Sequence, residues 1–213
     1  EENVFSIDAA EREQRLKRCP AVRRASVKRQ ISSNPTLLVD IDARIPVAWI
    51  DCPELGIHPG DATYGALADK EGVIFPCMEQ VHMPYIREKR MPSVTLRPPS
   101  SGKLSYGVSI RELEAPMKLI ELLSGTVTEY LPSIVSITTP NDWSFCVRFT
   151  NDCQATFSHY GLEHQVEKLS RALRHARQTH RKISSINLIP EHNIPVIFDD
   201  SYEDIPLAEP IEE

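Results

Sequence analysis

Residues 3–50 read NVFSIDAAEREQRLKRCPAVRRASVKRQISSNPTLLVDIDARIPVAWI, and the order of patterns inside them decides the fold. From Leu37 the alternation is strict: Leu37, Val39, Ile41, Ala43, Ile45, Val47 and Trp49 fall on one face, and Asp40, Asp42 and Arg44 on the other. A period of two with one wet side predicts a long strand whose apolar face packs under helices. Val22 to Arg29 alternates more loosely, with Ala25 and Val27 on one side and Arg24, Ser26 and Lys28 on the other, and reads as an earlier strand. Ser32-Ser33-Asn34-Pro35 is a turn cluster between the two. Upstream, Val4–Ile7 is a short apolar run, and Asp8 with Glu11 has capping-box spacing. A helix is expected over Ala9–Arg18, since Pro20 disfavours helix at Cys19. The unit is strand, helix, strand, strand.

Farther along, residues 51–63 have no period and read as a long loop, while Tyr64–Ala68 and Gly72–Phe75 form a hairpin around Asp69-Lys70-Glu71. Residues 76–107 are rich in Pro, Ser and Gly and predict one strand, Val94–Arg97. Ser109 and Glu112 have capping-box spacing. Pro116 moves the expected helix start to Ala115, with the helix ending at Ser124 and carrying a stripe of Met117, Ile120 and Leu123. Strands are expected at Ile134–Thr139, Trp143–Phe149 and Gln154–Phe157, with Trp143, Phe145, Val147 and Phe149 on one covered face. A helix over Leu162–Lys182 keeps Leu162, Val166, Leu169, Leu173 and Ala176 on one side. Its other side is basic: Lys168, Arg171, Arg174, Arg177, Arg181 and Lys182, against Glu163 and Glu167. Strands Ser184–Ile189 and Ile194–Phe198 close the chain, around a turn at Pro190–Asn193.

Composition limits the function. Of 213 residues, 41% are hydrophobic, enough for globular cores. The net charge of −6 is unevenly placed: residues 199–213 hold seven acids and no base, leaving 23 acids against 24 bases elsewhere. The body is nearly neutral, which argues against nucleic acid, and the tail is expected to be solvated and disordered. Five cysteines are scattered with no C-x-x-C and no zinc-site spacing, so most read as small buried hydrophobes. Whether Cys146 and Cys153 meet across their hairpin depends on register. Seven histidines form no ligand motif, and neither a G-x-S-x-G elbow nor a P-loop is present. No catalytic, metal or cofactor site is expected, and the chain reads as a non-enzyme. No run of about twenty apolar residues occurs.

The runs FSID (5–8), CPAVRRASVKR (19–29) and TLLVDIDARIPVAW (36–49) resemble the POTRA module of the FtsQ/DivIB family of bacterial division proteins. There a P-x-V-x-x-A-x-V strand precedes T-L-x-V-x-I-x-E-R-x-P-V-A. The likeness covers Phe5–Trp49. It departs at Ala43, where the family has an acid directly before the arginine; here Asp42 lies one place earlier. LADKEGVIF (67–75) is similar to the family's v-D-x-x-G-x-v-f hairpin.

The resemblance implies an α+β chain: a POTRA-like domain at 1–51, a larger β-rich domain at 52–198 with a mixed or antiparallel sheet and packed helices, and the acidic tail at 199–213. It implies a divisome scaffold on the periplasmic side of the bacterial inner membrane, at the septum, held by a single N-terminal membrane-spanning helix upstream of Glu1. It also implies recruitment of other division proteins, FtsB- and FtsL-like partners among them, by strand addition near the terminal strands. By element, the contact falls on Ile194, Val196 and Phe198, with Arg171, Arg174 and Arg177 facing acidic partner residues. Pro195 restricts which edge of that strand can pair. The alternative within the same module class is a POTRA protein of outer-membrane assembly or secretion that handles client chains, where such modules usually come in tandem before a barrel.

Overall fold

A computed structural model describes residues 7–31, 35–88, 90–125 and 131–199. The expected strand at Val4–Ile7, all but Ile7, the turn residues 32–34 and the tail from 200 onward lie outside the described residues. Asp8 caps α1 (Ala9–Lys17) as its spacing predicts: Oδ1 accepts from the amides of Ala10 at 2.9 Å and Glu11 at 3.2 Å. Two donors that a helix start leaves unpaired are thereby satisfied.

β1 (Val22–Gln30) pairs antiparallel with β2 (Thr36–Ala43), Val27 opposite Val39 and Ala25 opposite Ile41. Direct partners share a face, yet that face is only half covered. Ala25 and Val27 are 6% and 8% exposed, whereas Val39 and Ile41 are 48% and 47% exposed. This corrects the expectation that Leu37, Val39 and Ile41 lie beneath helices. The cause is where α1 is held. Glu13 Oε2 accepts from the Val27 amide at 3.0 Å, and Arg29 Nη2 donates to the Ile7 carbonyl at 2.6 Å. These bonds draw α1 to the outer side of β1, and among the described residues no other helix crosses β2.

The long alternating run is also divided. Arg44 and Ile45 leave regular pairing, and Pro46–Asp51 forms β3 in a second sheet. Among the described residues that sheet has nine strands in the order β11-β10-β9-β8-β7-β6-β3-β4-β5. Its other members are β4 (Ala66–Asp69), β5 (Ile74–Pro76), β6 (Ser93–Thr95), β7 (Ile134–Thr138), β8 (Ser144–Phe149), β9 (Gln154–Ser158), β10 (Lys182–Asn187) and β11 (Val196–Asp199). The β3–β6, β6–β7 and β9–β10 pairs are parallel and the rest antiparallel. With four α-helices among the described residues, the chain is α+β around a large mixed sheet. The strand expected to close the first unit is therefore a member of the large sheet.

α3 (Arg111–Gly125) and α4 (Leu162–Gln178) pack side by side on one sheet face. Beneath them lie Phe145, Val147, Phe149, Ala155 and Phe157, with Phe145 and Phe157 stacked at 5.6 Å. Trp143 is not on that face; it precedes β8 and is 60% exposed, because Asn141 Oδ1 turns the chain by accepting from the Trp143 and Ser144 amides. α3 starts before Pro116 and keeps it inside the helix. Ser109 does not cap α3, since its hydroxyl donates to the Glu71 carbonyl at 2.9 Å. On the opposite face Trp49, Leu67 and Phe75 line up across β3, β4 and β5. Met78, Met83 and Ile86, in and beside α2 (Glu79–Glu88), cover them. That helix falls where only an irregular connection was expected.

The two sheets are joined at Arg44. Its Nη1 lies 2.5 Å from Asp69 Oδ2 and its Nε donates to the Pro20 carbonyl at 3.1 Å. Asp69 Oδ1 accepts from the Glu71 and Val73 amides at 2.9 and 3.0 Å, closing the β4–β5 turn in which Gly72 takes φ +72°. The side chains of Arg44 and Asp69 are only 13% and 6% exposed. Asp42, two residues before Arg44, pairs with Arg24 at 3.0 Å on the surface.

Candidate functional site

Two sheets leave edges, and edges are where a second polypeptide can add. On the small sheet the outer side of β1 is met by Glu13 of α1, which takes the Val27 amide. Val27 turns its amide away from β2, so its partner Val39 turns its own peptide groups away from β1. The outer edge of β2 therefore runs beside the exposed side chains of Val39 and Ile41, with Leu38 57% exposed on the reverse face.

On the large sheet β11 is terminal, and no described strand pairs with its outer side. The Asn187 amide donates to the Pro195 carbonyl at 3.0 Å, so Pro195 faces β10. Alternation then turns the peptide groups of Val196 and Phe198 outward. The restriction expected from Pro195 falls on the inner side: its missing N–H costs a bond to β10 and leaves the outer edge intact. The side chains of Ile194, Val196 and Phe198 are partly buried against the main core, while Ile197, on the reverse face, is 63% exposed. The Arg181 guanidinium sits 3.5 Å over the Phe198 ring, and Lys182 lies 3.8 Å from Asp199. A cation held on an aromatic face is favourable by about 0.5–1 kcal/mol at an exposed site.

Arg171 and Arg174 lie elsewhere. They line a groove of about 330 Å³ between α4 and α3, with Leu122, Leu131 and Val166 as its apolar floor. Glu167 is 3.6 Å from Arg171 at the rim. Arg177 is exposed in the last turn of α4. Lys168, expected on the basic surface, is 8% exposed and donates to the Pro190 carbonyl at 2.8 Å. Its long apolar stem is buried while its ammonium finds one carbonyl, and this fixes which flank of α4 faces the β10–β11 turn. Five of the six residues therefore fall on two surfaces, Ile194, Val196 and Phe198 on a strand edge and Arg171 and Arg174 on a helix–helix groove, while Arg177 lies outside the groove lining. The register that puts Pro195 inward and the burial of Lys168 are absent from any local pattern; only the antiparallel pairing of β10 with β11 reveals them.

A larger cavity of about 860 Å³ opens at the ends of β6 and β7, beside the first turns of α3 and α4. Of its charged side chains, Arg97 lies 3.5 Å from Asp142 across the cavity lining, and Lys118 reaches out of it to Glu163 at 2.6 Å. The Lys118 ammonium holds the Glu163 carboxyl below its ordinary range. Among the described residues no three of His, Cys, Asp and Glu converge as metal ligands. Cys146 opposes Thr156, while the Phe149 amide donates to the Cys153 carbonyl, so the two thiols lie on opposite faces of β8–β9. Burial pushes the Cys153 thiol up to about 11, with Cys146 adding a little.

No family model matches the chain, and no curated protein matches its sequence. Among the described residues no helix is long and apolar enough to cross a membrane.

Proposed function

We propose that the chain is a polypeptide-docking scaffold, built to hold other proteins by a strand edge and a helix surface. Within that class we assign it to the FtsQ/DivIB group of division proteins, with a POTRA-like first unit and a periplasmic location at the septum, anchored in the inner membrane. The observation that carries the reading is the outer edge of β11, which no described strand pairs with and toward which Val196 and Phe198 turn their main-chain groups beside a partly buried apolar row. Added strands take affinity from main-chain hydrogen bonds and selectivity from alternate side chains. Further support comes from Arg44 and Asp69. They belong to the two stretches that carry the resemblance, and the fold brings them together in one buried pair. In this reading an FtsB- or FtsL-like segment adds to β11 while its acidic residues meet Arg171 and Arg174, the POTRA-like unit offers β2 to further division proteins, and no substrate is turned over.

Capture of an FtsB- or FtsL-like partner by wild type, Val196→Asp and a deletion of 194–198 tests the assignment. Loss of capture by a folded Val196→Asp supports it, and unchanged capture removes β11 as the site.

A further inference from the structure

We propose that the cavity of about 860 Å³ at the ends of β6 and β7 binds a small zwitterion, an amino acid or short peptide, whose carboxylate meets the start of α4 and whose ammonium meets Glu112 and Glu114 of α3. The site lies inside the sheet, away from both of its edges, and stands apart from docking at β11.

Topology places it. β6 and β7 are parallel, and β9 runs the same way because two antiparallel pairings separate it from β7. The carboxyl ends of all three therefore fall at one end of the sheet. Leu96, Thr139 and His159, each the first residue past its strand, line the cavity. α3 leads from β6 to β7 and α4 from β9 to the parallel β10, so both helices begin at this end and run back over the sheet. The crevice outside the carboxyl ends of such strands is where open sheets crossed by helices hold ligands. The volume falls within the roughly 300–1,000 Å³ of small-molecule sites.

The polar groups of the lining select the ligand. Arg97 is held by Asp142 and by the Pro140 carbonyl, and Lys118 is turned out to Glu163. Arg111, Glu112 and Glu114, all exposed in the first turn of α3, have no ion-pair partner among the described residues. Two carboxylates against one guanidinium leave the α3 side open to a cation. The α4 side offers the opposite. No side chain caps the helix at Gly161, and Glu163, the acid of its first turn, is drawn to Lys118. Open amides and the positive end of the helix dipole suit a carboxylate there. His159 Nε2 is shielded from solvent and has no hydrogen-bond partner among the described residues, while its ring packs 5.5 Å from that of Phe145. Buried polar atoms are rarely left so, and a ligand carrying both donors and acceptors meets either tautomer.

Other classes fit less well. A phosphorylated ligand would bring about two negative charges to a lining whose one unpaired cation stands beside two carboxylates. A metal ion finds no three converging ligands among the described residues.

The test titrates the full chain with trialanine, with each common amino acid and with inorganic phosphate, following backbone amide resonances. Trialanine or at least one amino acid should bind saturably at millimolar concentration or below, shifting Thr139, His159 and Leu162 and leaving β11 unmoved. Acetylating the amine of that ligand, or amidating its carboxylate, should weaken binding about tenfold. Glu112→Gln with Glu114→Gln, at exposed positions, should leave Tm unchanged, weaken the free-ended ligand about tenfold and leave the acetylated form unaffected. Absence of saturable shifts with every probe, equal binding of blocked and free-ended forms, or tighter binding of phosphate would overturn the proposal.

Discussion

Removing one partner of the Arg44–Asp69 pair is the sharpest stability test the fold offers. The side chains are 13% and 6% exposed and 2.5 Å apart, and Arg44 also holds the Pro20 carbonyl. Taking away one member of a buried pair leaves the other desolvated and unpaired, which costs about 3–5 kcal/mol. Arg44→Ala should fall near 3 kcal/mol, because residual exposure lets water reach Asp69. Asp69→Ala should cost more, since it also frees the Glu71 and Val73 amides, each worth about 1 kcal/mol. In a chain of this size 3 kcal/mol corresponds to a Tm loss of roughly 6–12 °C. Urea unfolding of both single variants and the double should give a coupling of about 1–3 kcal/mol. Strictly additive effects, or single losses below about 1 kcal/mol, would refute the claim that this pair ties the small sheet to the large one.

Other consequences are as direct. His82 is 2% exposed, its Nδ1 accepts from the Met78 amide, and burial holds its pKa below the ordinary value. The unfolded chain then binds the extra proton first, so stability is full above about pH 6.5 and falls as pH drops below it, by at most about 1.4 kcal/mol per unit. His82→Leu should flatten that slope in urea titrations. A methyl at Gly65 would overlap the Asp61 carbonyl oxygen and lie 2.8 Å from Trp49 Cζ3, so Gly65→Ala should cost about 3 kcal/mol by thermal unfolding. With its thiol pushed from 9.0 to about 11, native Cys153 should alkylate far more slowly than after denaturation, and mass spectrometry of partly labelled protein should find it among the last thiols modified.

The strands and helices with strong local signals were legible from residue order alone. Asp8 announces α1, the 4-3-4-3 spacing of Leu162, Val166, Leu169, Leu173 and Ala176 announces α4, and Asp69-Lys70-Glu71 announces the β4–β5 turn. What failed to show was set by distant partners. Alternation from Leu37 to Trp49 continues smoothly, yet the strand changes sheets at Arg44 because that side chain is drawn to Asp69 and Pro20. α2 was hidden by Pro84, which sits inside the helix. There a missing amide is tolerated because the apolar side of α2 covers Trp49 and Phe75. At the candidate site the residue types were visible, but not their division into an edge and a groove. Lys168 reads as surface in any helical projection, and only the position of the Pro190 carbonyl buries it.

Val196→Pro tests docking at β11 most directly, because the Val196 amide turns outward and its loss leaves the pairing with β10 untouched. Affinity for an FtsB- or FtsL-like segment should fall about tenfold, the equivalent of one lost main-chain bond of roughly 1.4 kcal/mol, with Tm nearly unchanged. A folded Val196→Pro protein that binds the segment as tightly as wild type would contradict it.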